Sequence, residues 1–442
     1  MTDETNREDE ELRDEEDVYT PISEKEKIPW PSMMMTFIGM WVSLYSVAIG
    51  YSIGMQLSVK LAILSCIVGY GIAGIIAGFV GEIGRRTGLA SYVLAQGPLG
   101  WIGMMLLTLM MFTVLSFGSI GLQADAIGRA ACELFANLTP YRLVVSGLIC
   151  AVMMTSGIIG IKLMTKVSWV TMPFFFVVTI IATIIAVNQF GGFGAVLAIE
   201  NHEMTFSRAV FLNAGAWGGF VMLMADVSRF LKTKKETFTV IPIAFVFGSI
   251  PPICGVLLGA TVQQPLEALF PALGIGALGF LAIFGAGWTT NDNNAYSAGL
   301  ALSTALYQIK KVRRSRVTLL VGALGIMGAM TGIGQLGFFE WIAGFHGSFN
   351  MSFVGVLIAH YYVISKDRYV QANGLAGVVS WLLVGVLCFF EILPVPFISA
   401  TIVSFILYLI LFNYVEKPLF GEKEVERYVP YRLARAAAEE TK

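Results

Sequence analysis

Residues 273–305 read LGIGALGFLAIFGAGWTTNDNNAYSAGLALSTA, an apolar segment that is interrupted near its middle by the polar run Thr289–Asn294. The segment is long enough to cross a bilayer core, which takes about 20 residues as a helix. Six consecutive polar side chains cover every face of such a helix, so one face must contact water, an ion or a solute. The alternative is that they only hydrogen-bond to neighbouring helices, but residues in that role usually occur singly. The run therefore indicates a polar site inside a membrane protein.

The composition of the whole chain agrees with a membrane protein. Its 442 residues are 56% hydrophobic and only 13% charged, and the mean hydropathy is +0.74. A soluble domain carries about 25% charged residues. The net charge of −1 argues against a nucleic-acid partner. We therefore expect membrane lipid to surround the protein, and nothing in the sequence implies an obligate protein partner.

Twelve apolar stretches lie between Pro31 and Tyr414. They cover approximately residues 32–57, 61–82, 101–128, 141–160, 167–189, 207–231, 238–262, 273–305, 317–337, 340–364, 372–391 and 395–415. Fifteen Lys and Arg residues fall in the connections on one side of these spans and four on the other. By the positive-inside rule the richer side is cytoplasmic. The sequence thus predicts a multi-pass protein of the cell membrane with both termini in the cytoplasm.

The two ends of the chain differ from the apolar middle. Residues 1–30 are acidic, contain no apolar stretch typical of a signal peptide, and are predicted to form a disordered cytoplasmic tail. Residues 31–415 are predicted to form a single transmembrane domain, because no connection is long enough for a soluble domain. Residues 416–442 are polar and of mixed charge, and they are predicted to form a C-terminal cytoplasmic tail.

Two of the spans are poor candidates for continuous helices. The first contains Gly39, Gly50 and Gly54 among serines and tyrosines, and the sixth contains Asn213–Gly219, which reads NAGAWGG. Interrupted helices at corresponding places five helices apart predict an inverted-repeat transporter with its binding site near the bilayer midplane. The alternative is that these glycines only allow helices to approach closely.

Four stretches of the chain resemble one family of transporters. The residues are WTTNDNNAYSAGL at 288–300, GRRTGL at 84–89, ADVSRF at 225–230 and GVLIAHY at 355–361. Together they resemble the nucleobase:cation symporter family, specifically its cytosine permease branch. The resemblance implies an all-α, LeuT-like fold of twelve transmembrane helices, with a five-plus-five inverted repeat and helices 1 and 6 unwound at the middle. It also implies cation-coupled uptake of a nucleobase, and the expected substrate is cytosine or a related purine or pyrimidine.

The resemblance implies a cation site between helices 1 and 8. The matching positions are Gly39, Ser43, the carbonyl of Ala286 and the hydroxyls of Thr289 and Thr290. A hard cation prefers about six oxygen ligands, which unwound backbone and hydroxyl groups can supply. This uncharged site favours sodium, whereas proton coupling would need a titratable group such as Asp292 nearby. No other cofactor is implied.

The resemblance also implies a substrate site of aromatic faces and amides. Trp217 matches the aromatic residue of helix 6, and Gly219 lies where the family often has a small polar residue. Stacking on an aromatic ring discriminates poorly between bases, so directional hydrogen bonds must supply specificity, for which Asn291 and Asn294 are the candidates. Interior packing is the alternative role of Trp217.

Helix 3 departs from the cytosine permease pattern. The family has a Trp with a Gln close before it, whereas this chain has Ser116 or Phe117 at the Trp position and Thr113 at the Gln position. Phe117 is the candidate replacement for the ring, and Gln123 for the amide. The departure leaves open a related uncharged heterocycle, such as a hydantoin, allantoin or a vitamin-precursor pyrimidine.

Three other functional classes fit the sequence less well. A same-fold carrier of a small amine or amino acid would hold its charged ligand with helix ends or a paired charge, and the neutral Trp, Asn and Thr residues favour an uncharged substrate. An intramembrane enzyme would need a nucleophile–base pair or a metal motif, and no HExxH, GxGD or GxSxG sequence is present. A channel would need a continuous polar stripe or filter.

Overall fold

The computed structural model describes residues 19–31, 33–34, 43–159, 161–310, 312, 314–366 and 368–434. Twelve helical regions follow the twelve apolar stretches in order: α1 Leu44–Gln56, α2 Val59–Thr87, α3 Gln96–Leu134, α4 Arg142–Ile159, α5 Ile161–Gln189, α6 206–228, α7 Lys234–Val262, α8 Gly276–Tyr307, α9 Arg314–Ala329, α10 Leu336–Ser365, α11 Leu375–Phe389 and α12 Pro396–Phe420. Short helical turns lie at Glu24–Glu26, Ser91–Leu94, Ala136–Tyr141, Phe193–Leu197 and 266–272. Two three-residue strands, β1 Tyr369–Gln371 and β2 Lys423–Val425, pair antiparallel.

Seven helices of the described chain are long and apolar enough to cross a membrane: α2, α3, α4, α5, α7, α10 and α12. The other five differ for identifiable reasons. Helices α9 and α11 are apolar but shorter, α6 is in three pieces, and α8 carries the polar run Thr289–Asn294. Helix α1 begins at Leu44, directly after residues that the structure does not describe and the extended residue Ser43.

Local signals fix several of the helix ends. Helix α2 ends at Gly88, whose φ of 69° is the left-handed conformation that glycine adopts without a steric penalty. Helix α7 begins after Thr233, whose hydroxyl accepts a hydrogen bond from the backbone N–H of Glu236 while the Glu236 carboxylate accepts one from the N–H of Thr233. This capping box satisfies two backbone donors that the first turn leaves unpaired.

The helices pack in pairs that are related by a shift of five. Helix α1 crosses the second half of α7, and the first piece of α6 crosses α2. Likewise α4 packs against α8, and α9 packs against α3. Each pair becomes the other when every helix number changes by five, which is the relationship expected of two five-helix repeats.

The glycines of α1 are packing residues. A Cβ atom at Gly50 would lie 2.0 Å from the carbonyl oxygen of Pro252, and one at Gly54 would lie 2.1 Å from that of Val256. Glycines on α7 face α1 in the same way, at Gly255 and Gly259. The expectation that Gly50 and Gly54 interrupt the first span is therefore wrong, because α1 is continuous through both. Ser43, directly before α1, is extended, and Gly39 lies outside the described residues.

Helix α6 is interrupted as predicted. Its pieces are Phe206–Gly215, Gly218–Met222 and Met224–Ser228, and Trp217 between the first two has φ −106° and ψ 1°. A Cβ at Gly218 would lie 2.5 Å from the carbonyl oxygen of His346 on α10. The glycines around the break thus bring the backbones of α6 and α10 together at the depth of Trp217.

Three helices contain π-helical turns, one of them α12 at Phe412–Glu416. In α3 the turn covers Val114–Ile120, and in α10 it covers His346–Asn350 with a second at His360–Ser365. Such turns widen the helix locally and are frequent at functional sites. Those at Val114–Ile120 and His346–Asn350 position the side chains described next.

Candidate functional site

Asn291 is the centre of the contact between α8 and α3. Its Oδ1 accepts a hydrogen bond from Nε2 of Gln123 at 3.0 Å, and its Nδ2 donates to the carbonyl oxygen of Ile120 at 3.2 Å. Both Asn291 and Gln123 are buried, and Oε1 of Gln123 has no partner among the described residues. Ile120 is the last residue of the π-helical turn in α3. The structure thus places the predicted amides, Asn291 and Gln123, in direct contact.

Asp292 faces α4 rather than α3. Its Oδ1 accepts a hydrogen bond from the hydroxyl of Ser156 at 2.6 Å, and that hydroxyl accepts one from Nε1 of Trp288 at 2.6 Å. The carboxyl group is 1% exposed, and Oδ2 has no partner in the part of the chain that the structure describes. The polar run therefore uses neighbouring side chains to contact different helices, as six consecutive polar residues on a helix must.

The predicted cation ligands of α8 lie within one helical turn. The hydroxyl of Thr290 donates to the carbonyl oxygen of Ala286 at 2.9 Å, and the hydroxyl of Thr289 lies 2.8 Å from that of Thr171 on α5. Thr289 and Ala286 are buried, and Thr290 is partly buried. This turn brings together hydroxyl and carbonyl oxygens with no charged group among them.

Ser43, the predicted ligand from the first span, directly precedes α1. It is fully buried and extended, its hydroxyl lies 3.0 Å from the hydroxyl of Ser46, and it accepts a hydrogen bond from the Ser46 N–H. No hydrogen bond joins Ser43 to α8 within the described residues. Gly39, the remaining predicted ligand, lies outside them.

Trp217 lies at the break in α6, against α2. It is 2% exposed, and its ring centroid lies 6.0 Å from that of Tyr70 and 5.3 Å from that of Phe220. Gly219 faces α10, since a Cβ there would lie 3.4 Å from Nδ1 of His346 and 3.6 Å from Nδ2 of Asn350. Trp217 and Gly219 therefore belong to an α2–α6–α10 group, separate from the contacts of Asn291.

Ser116 and Phe117 lie in the π-helical turn of α3. Ser116 is fully buried and its hydroxyl has no partner among the described residues. A Cβ at Gly328 of α9 would lie 2.2 Å from the carbonyl oxygen of Phe117, so the Phe117 backbone contacts α9. No ring contact joins Phe117 to Trp217 in the described chain. Asn294 is 6% exposed and makes no hydrogen bond to a described residue.

A small cavity lies at the end of the bundle where the α7–α8 and α9–α10 connections lie. Its walls include Leu44 of α1, Phe175 of α5 and Ile283 of α8. Ile283 precedes Thr290 by seven residues, so the two side chains share a helix face. Glu267 also lines the cavity, and its carboxylate lies 3.9 Å from the guanidinium of Arg129. The cavity therefore lies about two helical turns from Thr290 along α8.

Sequence reasoning missed His346 and Asn350. They are buried on α10, and Nδ1 of His346 lies 2.8 Å from Nδ2 of Asn350. Their position inside the predicted span 340–364 could have indicated a function, because polar side chains at membrane depth are functional by default. Nothing in the sequence indicates that they face the break in α6.

Comparisons with known proteins agree with this architecture. A family model described as "Permease for cytosine/purines, uracil, thiamine, allantoin" matches residues 22–377. Cytosine permeases of Escherichia coli strains K12 and O157:H7 are each 28% identical over 346 residues, covering 76% of this chain and 79% of the relative.

Solved structures share the fold. Mhp1, a nucleobase-cation-symport-1 family transporter, superposes with a TM-score of 0.73 in a closed conformation with bromovinylhydantoin bound, at 18% identity over 91% of this chain and 96% of that chain. Its inward-facing conformation gives a TM-score of 0.70 at 19% identity over the same shares. A Na⁺-coupled sialic acid symporter in an outward-open state gives 0.57 at 14% identity, over 90% of this chain and 98% of that one.

These matches confirm the predicted twelve-helix, inverted-repeat transporter fold and the resemblance to the nucleobase:cation symporter family. The chain is an integral membrane permease and not an enzyme. Because the family model covers residues 22–377, the protein belongs to the family of permeases for cytosine/purines, uracil, thiamine and allantoin.

Proposed function

We propose that the protein is a secondary symporter that couples the uptake of an uncharged nucleobase, cytosine or a related purine or pyrimidine, to a cation by alternating access. The observation that carries this proposal is the α8 turn, where the hydroxyls of Thr289 and Thr290 are followed directly by the amide of Asn291. Oxygen ligands for a cation and hydrogen-bonding groups for a base edge therefore lie on one rigid element. The names of the relatives support the substrate class.

The proposed substrate site lies between the α6 break at Trp217 and the contact of α8 with α3 at Asn291. Trp217 supplies the stacking face, worth about 1–3 kcal/mol per base. The amide of Asn291 reads the base edge, with Ser116, Phe117, Gly219 and Asn294 completing the wall. The contacts of Trp217 with Tyr70 and Phe220 support its ring being held at a fixed angle beside the α6 break.

The proposed cation is sodium. Its ligands would be the carbonyl oxygens of Gly39 and Ala286 and the hydroxyls of Ser43, Thr289 and Thr290. The Na⁺-coupled sialic acid symporter of similar fold supports this choice. A proton is the second candidate. The observation that favours it is buried Asp292, whose Oδ2 has no hydrogen-bond partner in the described ranges.

The proposed location is the cell membrane with both termini in the cytoplasm. The excess of basic residues on one side supports this orientation. Labelling of single cysteines introduced in the α7–α8 and α6–α7 connections tests it. A membrane-impermeant maleimide added to intact cells should react in the α7–α8 connection and not in the α6–α7 connection.

Uptake into proteoliposomes tests the function. Radiolabelled cytosine, adenine and uracil are offered with an inward sodium gradient, with a proton gradient, or with neither. We expect saturable uptake of at least one base that requires the sodium gradient. Flux that rises linearly with the base concentration to high values would exclude a symporter, and stimulation by the proton gradient alone would identify the proton.

Two tryptophan variants test the site. Trp217→Ala should abolish binding of the transported base, whereas Trp169→Ala, at a side chain 73% exposed on α5, should bind as the wild type does. Retained affinity in Trp217→Ala would move the site elsewhere. A competition panel of hydantoin, allantoin, a vitamin-precursor pyrimidine and a small amine tests the alternative substrates, since the best competitor identifies the class.

A further inference from the structure

Helix α10 covers the break in α6 with two polar side chains. Its π-helical turn His346–Asn350 lies against Gly218 and Gly219, and a Cβ at Gly218 would meet the carbonyl oxygen of His346 at 2.5 Å. At Gly219 a Cβ would meet the His346 ring at 3.4 Å and the Asn350 amide at 3.6 Å. The two side chains therefore lie directly against Gly219, two residues after Trp217.

The pair offers one free donor and one free acceptor. With Nδ2 of Asn350 donating to Nδ1 of His346 at 2.8 Å, the neutral ring carries its proton on Nε2, and Oδ1 of Asn350 remains an acceptor. The opposite assignment leaves Nε2 as the acceptor and the amide as the donor, so either arrangement offers one of each. Asn350 is fully buried, and its second amide atom has no partner among the described residues. Burying such an atom without a partner is costly, which requires an explanation.

His360, on the same helix, shows what a structural histidine looks like in this protein. It is fully buried, and both ring nitrogens have partners: Nδ1 lies 2.8 Å from the hydroxyl of Tyr408, and Nε2 lies 2.9 Å from the carbonyl oxygen of Val370. The His346 ring has a partner only at Nδ1 within the described chain. The difference indicates that His346 is not held for packing alone.

We infer that His346 and Asn350 are specificity-determining residues that read the hydrogen-bonding edge of the heterocycle stacked on Trp217. The inference rests on the proposed function. One donor beside one acceptor complements a neutral edge in which an N–H or amino group adjoins a carbonyl oxygen or a ring nitrogen. Gly219 has no side chain of its own, so α10 supplies the polar groups at this wall. Alkylation of that edge removes the donor and adds bulk, and should be rejected.

The test measures apparent affinities of cytosine and of its ring-N-methylated analogues in proteoliposomes, by competition against the radiolabelled base. We expect His346→Ala and Asn350→Ala to reduce the preference for unmethylated base about tenfold or more, because a buried polar site rejects a ligand that cannot satisfy it. Ser352→Ala is the matched control, since its buried hydroxyl donates to the carbonyl oxygens of Phe349 and Trp381, towards α11. Its preference should equal that of the wild type.

A second variant leaves α10 unchanged. Gly219→Ala places a methyl group in ordinary contact distance of the His346 ring, so it should fold normally and separate the pair from the substrate. We expect the same loss of preference, with the thermal unfolding temperature unchanged. Wild-type preference in both His346→Ala and Gly219→Ala would overturn the inference while leaving the symporter proposal intact. If the wild-type protein takes up no base at all, the proposed function fails, and this inference fails with it.

Discussion

Nε2 of Gln123 donates a hydrogen bond to Oδ1 of Asn291 at 3.0 Å, joining α3 to α8 at the centre of the bundle. Asn291 also donates to the carbonyl oxygen of Ile120, so its amide orientation is fixed by two contacts with α3. A substrate that bonds to Asn291 must therefore displace Gln123 or also bond to Oε1 of Gln123, which has no partner among the described residues. Both cases make the two amides energetically coupled.

A double-mutant cycle measures that coupling. Asn291→Ala and Gln123→Ala should each weaken binding of the transported base about tenfold, because each removes a buried hydrogen bond worth about 1–3 kcal/mol. The double variant should bind no more weakly than the weaker single variant, as residues in one network are not additive. Equilibrium binding of the radiolabelled base to purified protein checks this. Asn293→Ala is the control, since within the described part of the chain Asn293 hydrogen-bonds only to the carbonyl oxygen of Thr289, on α8 itself. Additive losses would show that the two amides act separately.

Thr290→Ala should reduce the stimulation of uptake by sodium at least about tenfold, because it removes one of a few oxygen ligands from the proposed cation site. The measurement is the sodium concentration that gives half-maximal uptake. Thr304→Ala is a matched control on the same helix, with a buried hydroxyl that donates to the carbonyl oxygen of Leu300 at 2.8 Å, just as Thr290 donates to Ala286. An unchanged sodium dependence in Thr290→Ala would place the cation elsewhere.

Gly50→Ala should destabilise the protein by about 3 kcal/mol, because the new methyl group would lie 2.0 Å from the backbone oxygen of Pro252 and neither backbone can yield. Gly71→Ala, one helix later, is the control: nothing lies within 4 Å of its Cβ position. That variant should be neutral or more stable by up to about 1 kcal/mol, since alanine favours the helix. Thermal unfolding in detergent, followed by size exclusion, compares the two. Equal unfolding temperatures would contradict the close approach of α1 and α7.

The glycines show how much of this fold the sequence could predict. The run NAGAWGG at 213–219 predicts the break in α6 correctly, because it combines several glycines with a polar residue and the structure places the break at Trp217. Gly50 and Gly54 give a similar sequence signal but serve packing. What distinguishes them is the matching pair Gly255 and Gly259 on α7, and which helices face each other is a tertiary property.

The residues of the candidate site also fall into two groups, those that the sequence identifies and those that only the structure identifies. Thr289–Asn294 could be recognised from the sequence because polar side chains at membrane depth are costly. The sequence named Gln123 only as a replacement for the missing amide of helix 3. Its hydrogen bond to Asn291 is visible only in the structure. His346 and Asn350 lie in a π-helical turn that places them against Gly219. The hydropathy pattern of the sequence does not predict that turn, so it could not indicate their role.

The segment after α12 predicts a local pH effect outside the membrane. The hydrogen bond from Lys417 lowers the pKa of the Glu422 carboxyl, and the nearby Arg368 guanidinium lowers it further. Because the pKa is lower in the folded state, the stabilisation is present above the unfolded value of about 4.3 and is lost as the pH falls through the folded value.

Glu422→Gln should therefore speed amide hydrogen exchange in β1 and β2 at pH 7, by a few-fold, since partly exposed ion pairs contribute at most about 1 kcal/mol. The difference between the variant and the wild type should shrink as the pH falls through the lowered pKa of folded Glu422, because protonation removes the wild-type charge that glutamine lacks. Equal exchange at pH 7 would show that the ion pairs do not hold the two strands together.

Gln308 joins both terminal segments to the end of α8. Its amide nitrogen donates to the hydroxyl of Tyr19, its Oε1 accepts from the N–H of Tyr431 at 2.8 Å, and its carbonyl oxygen accepts from the N–H of Arg432 at 3.0 Å. The ring of Tyr19 also stacks on that of Tyr307 at 5.7 Å. Because the two segments share one buried side chain, they should be released together.

Gln308→Leu should make both segments susceptible to limited proteolysis at rates at least several-fold above the wild type, since Tyr19 and Tyr431 both lose their hydrogen bonds to this side chain. Gln189→Leu, at an exposed glutamine at the end of α5, is the control and should be cleaved as the wild type is. Mass spectrometry of the early fragments separates cleavage before Ile28 from cleavage after Glu422. If only the C-terminal segment became sensitive, Tyr19 would be held by its stacking on Tyr307 rather than by Gln308, and the two segments would be independent.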